Sequence, residues 1–246
     1  MFSYDKYEKI IKRIQEKIPI KDYSEVDKNT TEFCILRHDV EFSVKRAYDL
    51  AVFENELGIK STYFFQIRNN CYNVYSDVNR KMITQIIGLG HKVGLHCHTS
   101  SLQHIDDLEN YIKTDCEILQ TMLGLEIDRF SFHRPKREHL EPNLKIDGLI
   151  NAYADEYFTL TDNLDNIDII YLSDSNHMWK WGNPLEVNLN KHKKIHLLLH
   201  PFSWSRDGGD NLKNFIKILE EKDLEIRQSI NNETKTFPSG LLCNTK

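Results

Sequence analysis

Side chains that can bind a metal follow five short apolar runs in this chain of 246 residues. Carboxylates and imidazoles together form a mixed oxygen and nitrogen ligand set that suits zinc or a similar divalent ion and can leave a position open for water. A further carboxylate beside such an ion could accept a proton from that water. The residues therefore favour metal-assisted hydrolysis. The segments are 37–41 (Arg-His-Asp-Val-Glu), 96–98 (His-Cys-His), 133–135 (His-Arg-Pro), 173–175 (Ser-Asp-Ser) and 200–201 (His-Pro).

Strand geometry places some of these side chains together. Residues at i and i+2 of a strand point to the same face, about 7 Å apart, so Asp39 is paired with Glu41 and His96 with His98. A single histidine in a loop is more often structural or solvated than functional, and the prediction depends on the shared position of these groups. His196 lies near the start of its run, and we expect it to be a buried, hydrogen-bonded residue.

Apolar spacing predicts strands that alternate with helices. This alternation is typical of a parallel sheet or barrel, in which functional groups lie at the carboxyl ends of the strands. The strands are expected at 33–36, 61–65, 92–98, 129–133, 169–172 and 195–199, and the helices at 7–18, 43–57, 76–89, 105–123 and 211–230.

Length and composition predict one α/β domain over residues 1–246, since such folds reach this size without splitting. The formal net charge is -5 with no basic stripe, so nucleic acid is not expected as a partner. Five cysteines without a C-x-x-C pair argue against a disulfide framework or a thiolate zinc site. No secretion signal or membrane-length apolar run is evident, which predicts a cytoplasmic protein.

The motifs resemble the NodB homology domain of polysaccharide deacetylases, carbohydrate esterase family 4. The resemblance is to a divergent branch that begins Arg-His-Asp-Val-Asp and includes the WbmS-like proteins of surface-polysaccharide gene clusters. It covers about residues 33–204. Its most specific pieces are 37–41, 90–96 (Gly-His-Lys-Val-Gly-Leu-His), 131–135 (Ser-Phe-His-Arg-Pro) and 199–201 (Leu-His-Pro).

This resemblance implies a distorted (β/α)7 barrel that holds one divalent ion, for which we expect zinc. Asp39 matches the catalytic base, and Glu41 matches a metal carboxylate where aspartate is usual. His96 matches the first metal histidine. The family places a second histidine four residues later, where this chain has Ser100. His98 is expected to supply the missing imidazole.

The remaining motifs imply the other roles. His200 matches the general acid that protonates the departing amine, oriented by Asp174 together with Trp179 or Trp181. Arg134 is expected to hold the base carboxylate, or His133 if the register shifts by one residue. With Arg134 in that role, we expect His133 to line the pocket.

The implied activity is removal of an acetyl or formyl group from an amino sugar, with a nucleotide-linked or lipid-linked precursor in surface polysaccharide synthesis as the expected substrate. One alternative is a non-catalytic carbohydrate-binding protein, suggested by Ser100 and by Trp179, Trp181 and Trp204, which could stack on sugar faces. A phosphoesterase is the second alternative, but such enzymes usually carry more carboxylates or a denser histidine set for two metals.

Overall fold

A computed structural model of the chain describes residues 2–99, 107–160 and 167–242. Its helices are α1 (Tyr4–Gln15), α2 (Val44–Glu56), α3 (Asp77–Gly88), α4 (Leu108–Leu123), α5 (Arg137–Leu140) and α6 (Asn211–Glu233). Its strands are β1 (Ile20–Lys21), β2 (Phe33–Val40), β3 (Thr62–Phe65), β4 (Lys92–His98), β5 (Arg129–His133), β6 (Ile150–Asn151), β7 (Ile169–Ser173) and β8 (Lys194–Leu199).

The strands form one parallel sheet, as the alternation of strands and helices predicted. Seven of them run in the order β6-β5-β4-β3-β2-β8-β7, and β1 pairs with β2 beside this path. The predicted strands and long helices are all present within a few residues of their expected ends. The two-residue strands β1 and β6 were not predicted, because so short a segment carries no periodicity.

The sheet is curled, so that its two edges approach each other. The ring of Tyr153, which follows β6, lies 6.5 Å from the ring of Tyr171 in β7. Phe158 also packs edge-on against Tyr171, with ring centroids 5.3 Å apart. The predicted distorted (β/α)7 barrel is therefore confirmed, with aromatic side chains packed between its edge strands.

Alternation along β2 separates the barrel interior from the layer under the helices. Phe33 and Ile35 pack inside with Phe64, whereas Cys34 and Leu36 pack outside against apolar residues of α1. Asp39 shares parity with Phe33 and Ile35, and successive side chains of a strand point to opposite faces. The fold therefore directs Asp39 toward the interior at the carboxyl end of the sheet.

A buried carboxylate ties α2 to the back of β2 and β3. Glu54 is 0% exposed, and its Oε1 lies 2.9 Å from Nε2 of His38 and also accepts from the Tyr7 hydroxyl. Its Oε2 accepts from Ser61 Oγ and from the Tyr63 hydroxyl, each at 2.6 Å. A charge removed from water is tolerated only when it is paired and hydrogen-bonded. We call this group of five residues the Glu54 network.

Local signals set the helix ends. The side chains of Ser43 and Ser76 accept from backbone N–H groups in the first turns of α2 and α3, and α4 ends at Gly124 with a φ of 68°. These are the residue types expected at such positions. In residues 2–99, 107–160 and 167–242, no helix is both long and apolar enough to cross a membrane.

Candidate metal centre

The predicted residues converge at the carboxyl end of the barrel. Asp39 lies near the end of β2, with Glu41 just after it, and His96 lies near the end of β4. His133 ends β5, which pairs with β4. His200 directly follows β8, which pairs with β2. Parallel pairing therefore brings residues from four distant segments to one site.

Glu41, His96 and His133 form the set of described residues that could hold one metal ion, with their ligand atoms all within 4.8 Å of one another. His133 Nδ1 lies 3.1 Å from Glu41 Oε1 and 3.3 Å from His96 Nε2. Tetrahedral metal–ligand bonds of about 2.0–2.1 Å separate neighbouring ligand atoms by about 3.3–3.4 Å. The donor types, and the distances from His133 Nδ1 to the other two ligand atoms, therefore fit one zinc-like ion.

His96 is held by the interior of the barrel. Its Nδ1 lies 2.8 Å from the Ser131 hydroxyl of β5, which leaves Nε2 facing the other ligand atoms. Such a partner on the second ring nitrogen fixes the orientation of a metal-binding histidine. Burial lowers the pKa of His96 to about 3, so its imidazole is neutral at physiological pH, as a metal ligand must be.

The ligand set differs from the predicted set in one residue. The sequence assigned His98 to the metal and His133 to the substrate pocket, but His133 belongs to the set and His98 does not. The ring of His98 packs against that of His133 instead, with centroids 4.9 Å apart. Spacing within β4 could not reveal this, because the third ligand comes from the neighbouring strand. Ser100 lies outside the described residues.

Arg37 holds Asp39, and this corrects the role predicted for Arg134. Arg37 Nε donates to Asp39 Oδ1 at 2.8 Å, and Nη2 donates to Oδ2 at 2.7 Å. Arg37 is 0% exposed. Arg134, in contrast, is exposed and lies at the rim of a cavity that opens at this end of the barrel. The i, i+2 spacing along β2 was the available signal, since it places Arg37 on the same face as Asp39.

The carboxylates at the centre are ionised. Burial acts to raise the pKa of Asp39, but the charge of Arg37 and its hydrogen bonds outweigh this effect and hold the pKa at about 2. Burial likewise opposes ionisation of Glu41, and the hydrogen bond to His133 with the charge of His200 keeps its pKa below the usual value. Asp39 Oδ2 lies 3.5 Å from His96 Nε2. Asp39 therefore presents a charged oxygen beside the ligand set.

His200 is oriented by Asp174, as predicted. Its Nδ1 lies 2.6 Å from Asp174 Oδ1, and its Nε2 lies 3.9 Å from Glu41 Oε1. Burial disfavours the charged ring, but Asp174, through its charge and hydrogen bond, raises the pKa of His200 to about 9. Both ring nitrogens of His200 are therefore protonated at neutral pH, and the ring is positively charged. Its Nε2 faces the ligand set.

The tryptophan that supports Asp174 is Trp204, not Trp179 or Trp181. Trp204 Nε1 donates to Asp174 Oδ2 at 2.7 Å, and the residue is 1% exposed. Trp179 packs against the Trp204 ring, with centroids 6.3 Å apart. Trp179 and Trp204, which were predicted to contact a sugar, are not among the described residues that line the cavity at this end of the barrel. Trp181 lines the cavity and is 54% exposed.

A cavity of about 860 Å³ opens at this end of the barrel. Asp39, Glu41, His96, His133 and His200 all line it. A large concave site with convergent polar groups and perturbed pKa values is the usual setting of an active site. The arrangement can bind a divalent ion with a carboxylate on one side and a protonated imidazole on the other.

No family model matches the chain, and no curated protein matches it. Among solved structures it is similar to a chitin deacetylase from Colletotrichum lindemuthianum, at 16% identity over 77% of this chain and 81% of that one, with a TM-score of 0.46. A peptidoglycan N-acetylglucosamine deacetylase catalytic domain from Eubacterium rectale gives 12% identity, coverage of 81% and 88%, and a TM-score of 0.46.

A carbohydrate esterase family 4 pseudoenzyme from Bacillus anthracis also matches, at 12% identity over 81% of this chain, with a TM-score of 0.46. The chain spans only 63% of the length of that protein. Similarities this distant carry no argument about activity. The fold assignment rests on the strand order and curl of the sheet itself.

Proposed function

We propose that this chain is a metal-dependent hydrolase that removes an N-acyl group from an amino sugar. The observation that carries the proposal is the position of Glu41, His96 and His133 as one ligand set between two acid–base groups, Asp39 and His200. Amide hydrolysis needs both groups, because a water molecule must lose a proton and the departing nitrogen must gain one.

The ligand set supports binding of one divalent ion, and zinc is the first choice for two imidazoles and a carboxylate. Such an ion, when bound, would polarise the acyl carbonyl and lower the pKa of nearby water. Ser131 would keep His96 oriented for the ion, in the manner of outer partners in known metal sites.

Asp39 is the base in this proposal, and its oxygens are held in place by Arg37. It accepts the proton of the attacking water as the new carbon–oxygen bond forms. His200 gives its Nε2 proton to the nitrogen as the carbon–nitrogen bond breaks, which leaves a carboxylic acid and a free amine. Asp174 and Trp204 keep Nε2 directed at that nitrogen.

The sugar part of the proposal rests on the motif resemblance, which covers about 33–204. An acetyl or formyl group on a nucleotide-linked or lipid-linked amino sugar remains our proposed substrate, in the cytoplasm and in surface polysaccharide synthesis, as the WbmS-like branch suggests. The exposed ring of Trp181 at the cavity supports a carbohydrate ligand, because aromatic faces pack against sugar rings.

The test combines metal analysis with an activity panel. Protein purified without chelator is expected to contain about one equivalent of zinc or another divalent ion, and to release acetate or formate from one member of a panel of N-acyl amino sugars. Asp39→Asn and His200→Ala should each lower turnover by about a hundredfold or more. The exposed Asp147→Asn serves as a matched control. Bound sugar without metal and without turnover would instead favour a carbohydrate-binding protein.

A further inference from the structure

The residues that line the cavity are polar at its mouth and apolar in its interior. The lining residues Arg134, Asn176 and Asn211 are polar and exposed. In contrast, Ile169 and Leu198 line it from the barrel interior and are 4% and 3% exposed. A ligand that fits this gradient has a polar part at the mouth and an apolar part inside.

The inner wall is built of aromatic rings between the sheet edges. Tyr153 packs against Phe132 and Phe158, with ring centroids 6.1 and 5.1 Å apart, and Phe158 packs against Tyr171 at 5.3 Å. All four line the cavity. The Tyr153 hydroxyl already accepts from Arg37 at 3.3 Å, so this wall offers few groups to the hydroxyls of a sugar.

Outside the metal centre, the lining of the cavity offers little for binding a nucleotide diphosphate. Of the described residues that line the cavity, only Arg134 has a fixed positive charge, and it is exposed at the mouth. Phosphate recognition relies on arginine, lysine or free backbone N–H groups at a helix N-terminus. At the N-terminus of α6, whose first residue Asn211 lines the cavity, the side chain of Asp210 already accepts from the backbone N–H of Lys213. An uncharged, apolar extension of the substrate suits the wall better.

We propose that the N-acyl group is a carbon chain longer than acetyl, and that it lies along the wall formed by Phe132, Tyr153, Phe158, Tyr171 and Leu198. This inference rests on the proposed deacylase function, and it replaces the acetyl or formyl group and the nucleotide link suggested by the motif resemblance with a longer acyl chain on a sugar without a diphosphate. The cavity volume of about 860 Å³ lies near the upper end of the range of about 300–1,000 Å³ found for small-molecule sites. The sugar occupies the mouth beside Trp181, and hydrolysis yields a medium-chain carboxylic acid and the free amino sugar.

Binding and turnover of N-acetyl-, N-butyryl- and N-hexanoylglucosamine by the zinc-loaded protein test the proposal. Each methylene buried against an apolar wall strengthens binding by about fourfold, so N-hexanoylglucosamine should bind at least about tenfold more tightly than N-acetylglucosamine. Its kcat/KM should rise similarly. Uridine diphosphate N-acetylglucosamine should bind no more tightly than the free N-acetyl sugar.

Two variants and a control test where the acyl chain of the substrate lies. Phe158→Ser should reduce the preference for hexanoyl over acetyl by about tenfold, and Leu160→Ser, at another cavity residue that is 38% exposed, should reduce it less. Leu219→Ser changes an apolar residue of α6 that is 68% exposed and does not line the cavity. It should leave the preference unchanged.

The outcomes separate the two proposals. Equal or weaker binding of the hexanoyl sugar, or a tenfold gain from the diphosphate, would overturn the chain-length inference, and turnover of N-acetylglucosamine would then leave the deacylase proposal intact. Chain-dependent binding with no turnover of any substrate would support the apolar site and contradict the deacylase proposal.

Discussion

Arg37 donates hydrogen bonds to both carboxylate oxygens of Asp39, which lies two residues later on the same strand. The Nε–Oδ1 and Nη2–Oδ2 distances are 2.8 and 2.7 Å. Both residues are buried, so the pair is shielded from solvent. A bidentate arginine fixes the direction of a carboxylate as well as its charge. The proposed base and the residue that positions it thus come from one short segment.

Replacement of Arg37 should therefore damage both stability and turnover. Arg37→Ala leaves a buried, unpaired carboxylate, and we expect the free energy of unfolding to fall by about 3–5 kcal/mol. Arg37→Lys keeps a charge but loses the two-point contact, and should retain more stability than turnover. Urea unfolding and kcat measure the two effects. Arg134→Ala is the control, and a loss of turnover in Arg134→Ala that matches Arg37→Ala would contradict the assignment.

The second prediction concerns the support of His200. Asp174→Asn removes the charge that holds His200 Nδ1, and kcat should fall by about a hundredfold or more. Trp204→Phe removes only the Nε1 donor to Asp174 while keeping a ring in the core, so its effect should be smaller. The comparison uses kcat for the best substrate of the panel. A kcat within threefold of wild type for Asp174→Asn would rule out the orienting role.

The third prediction separates His133 from His98 by metal affinity alone. Loss of an outer partner of a metal ligand typically costs about 10–100-fold in affinity, and loss of a ligand should cost more. His96→Ala and His133→Ala are therefore expected to weaken zinc binding by more than about a hundredfold, and Ser131→Ala by about tenfold. Calorimetric titration with zinc measures these values. His98→Ala should stay near wild type, and a larger loss there than in His133→Ala would restore His98 as the ligand.

The fourth prediction uses the Glu54 network, away from the cavity. Burial opposes ionisation of Glu54, but the charge and hydrogen bond of His38, with His91 and Ser61, hold its pKa at about 2. A lowered pKa stabilises the fold above the unfolded value of about 4.3, and this stabilisation is lost as the pH falls toward 2. The lowering of the Glu54 pKa to about 2 corresponds to about 3 kcal/mol in the free energy of unfolding.

Urea unfolding of the wild type between pH 5 and pH 2 should therefore lose stability more steeply than Glu54→Gln, by up to about 1.4 kcal/mol per pH unit. The exposed Glu138→Gln should keep the steep wild-type profile. Parallel profiles for the wild type and Glu54→Gln would show that Glu54 does not carry the shift.

The sequence by itself determined the alternation of strands and helices and the position of the chemistry. Apolar periodicity located β2, β4, β5 and β8, because each is long enough to show its pattern. The motifs then identified Asp39, Glu41, His96 and His200 as candidates, since polar residues at the carboxyl ends of parallel strands share one edge of the sheet.

Only the tertiary structure decided which of these side chains meet. His133 completes the ligand set because β5 pairs with β4, a register that spacing within β4 cannot encode. Trp204 reaches Asp174 because the turn after β8 folds back onto the end of β7. Arg134 is exposed, and it therefore does not hold the buried carboxylate of Asp39. Side-chain contacts across strands depend on sheet order and curl, which are set by long-range packing and not by local sequence.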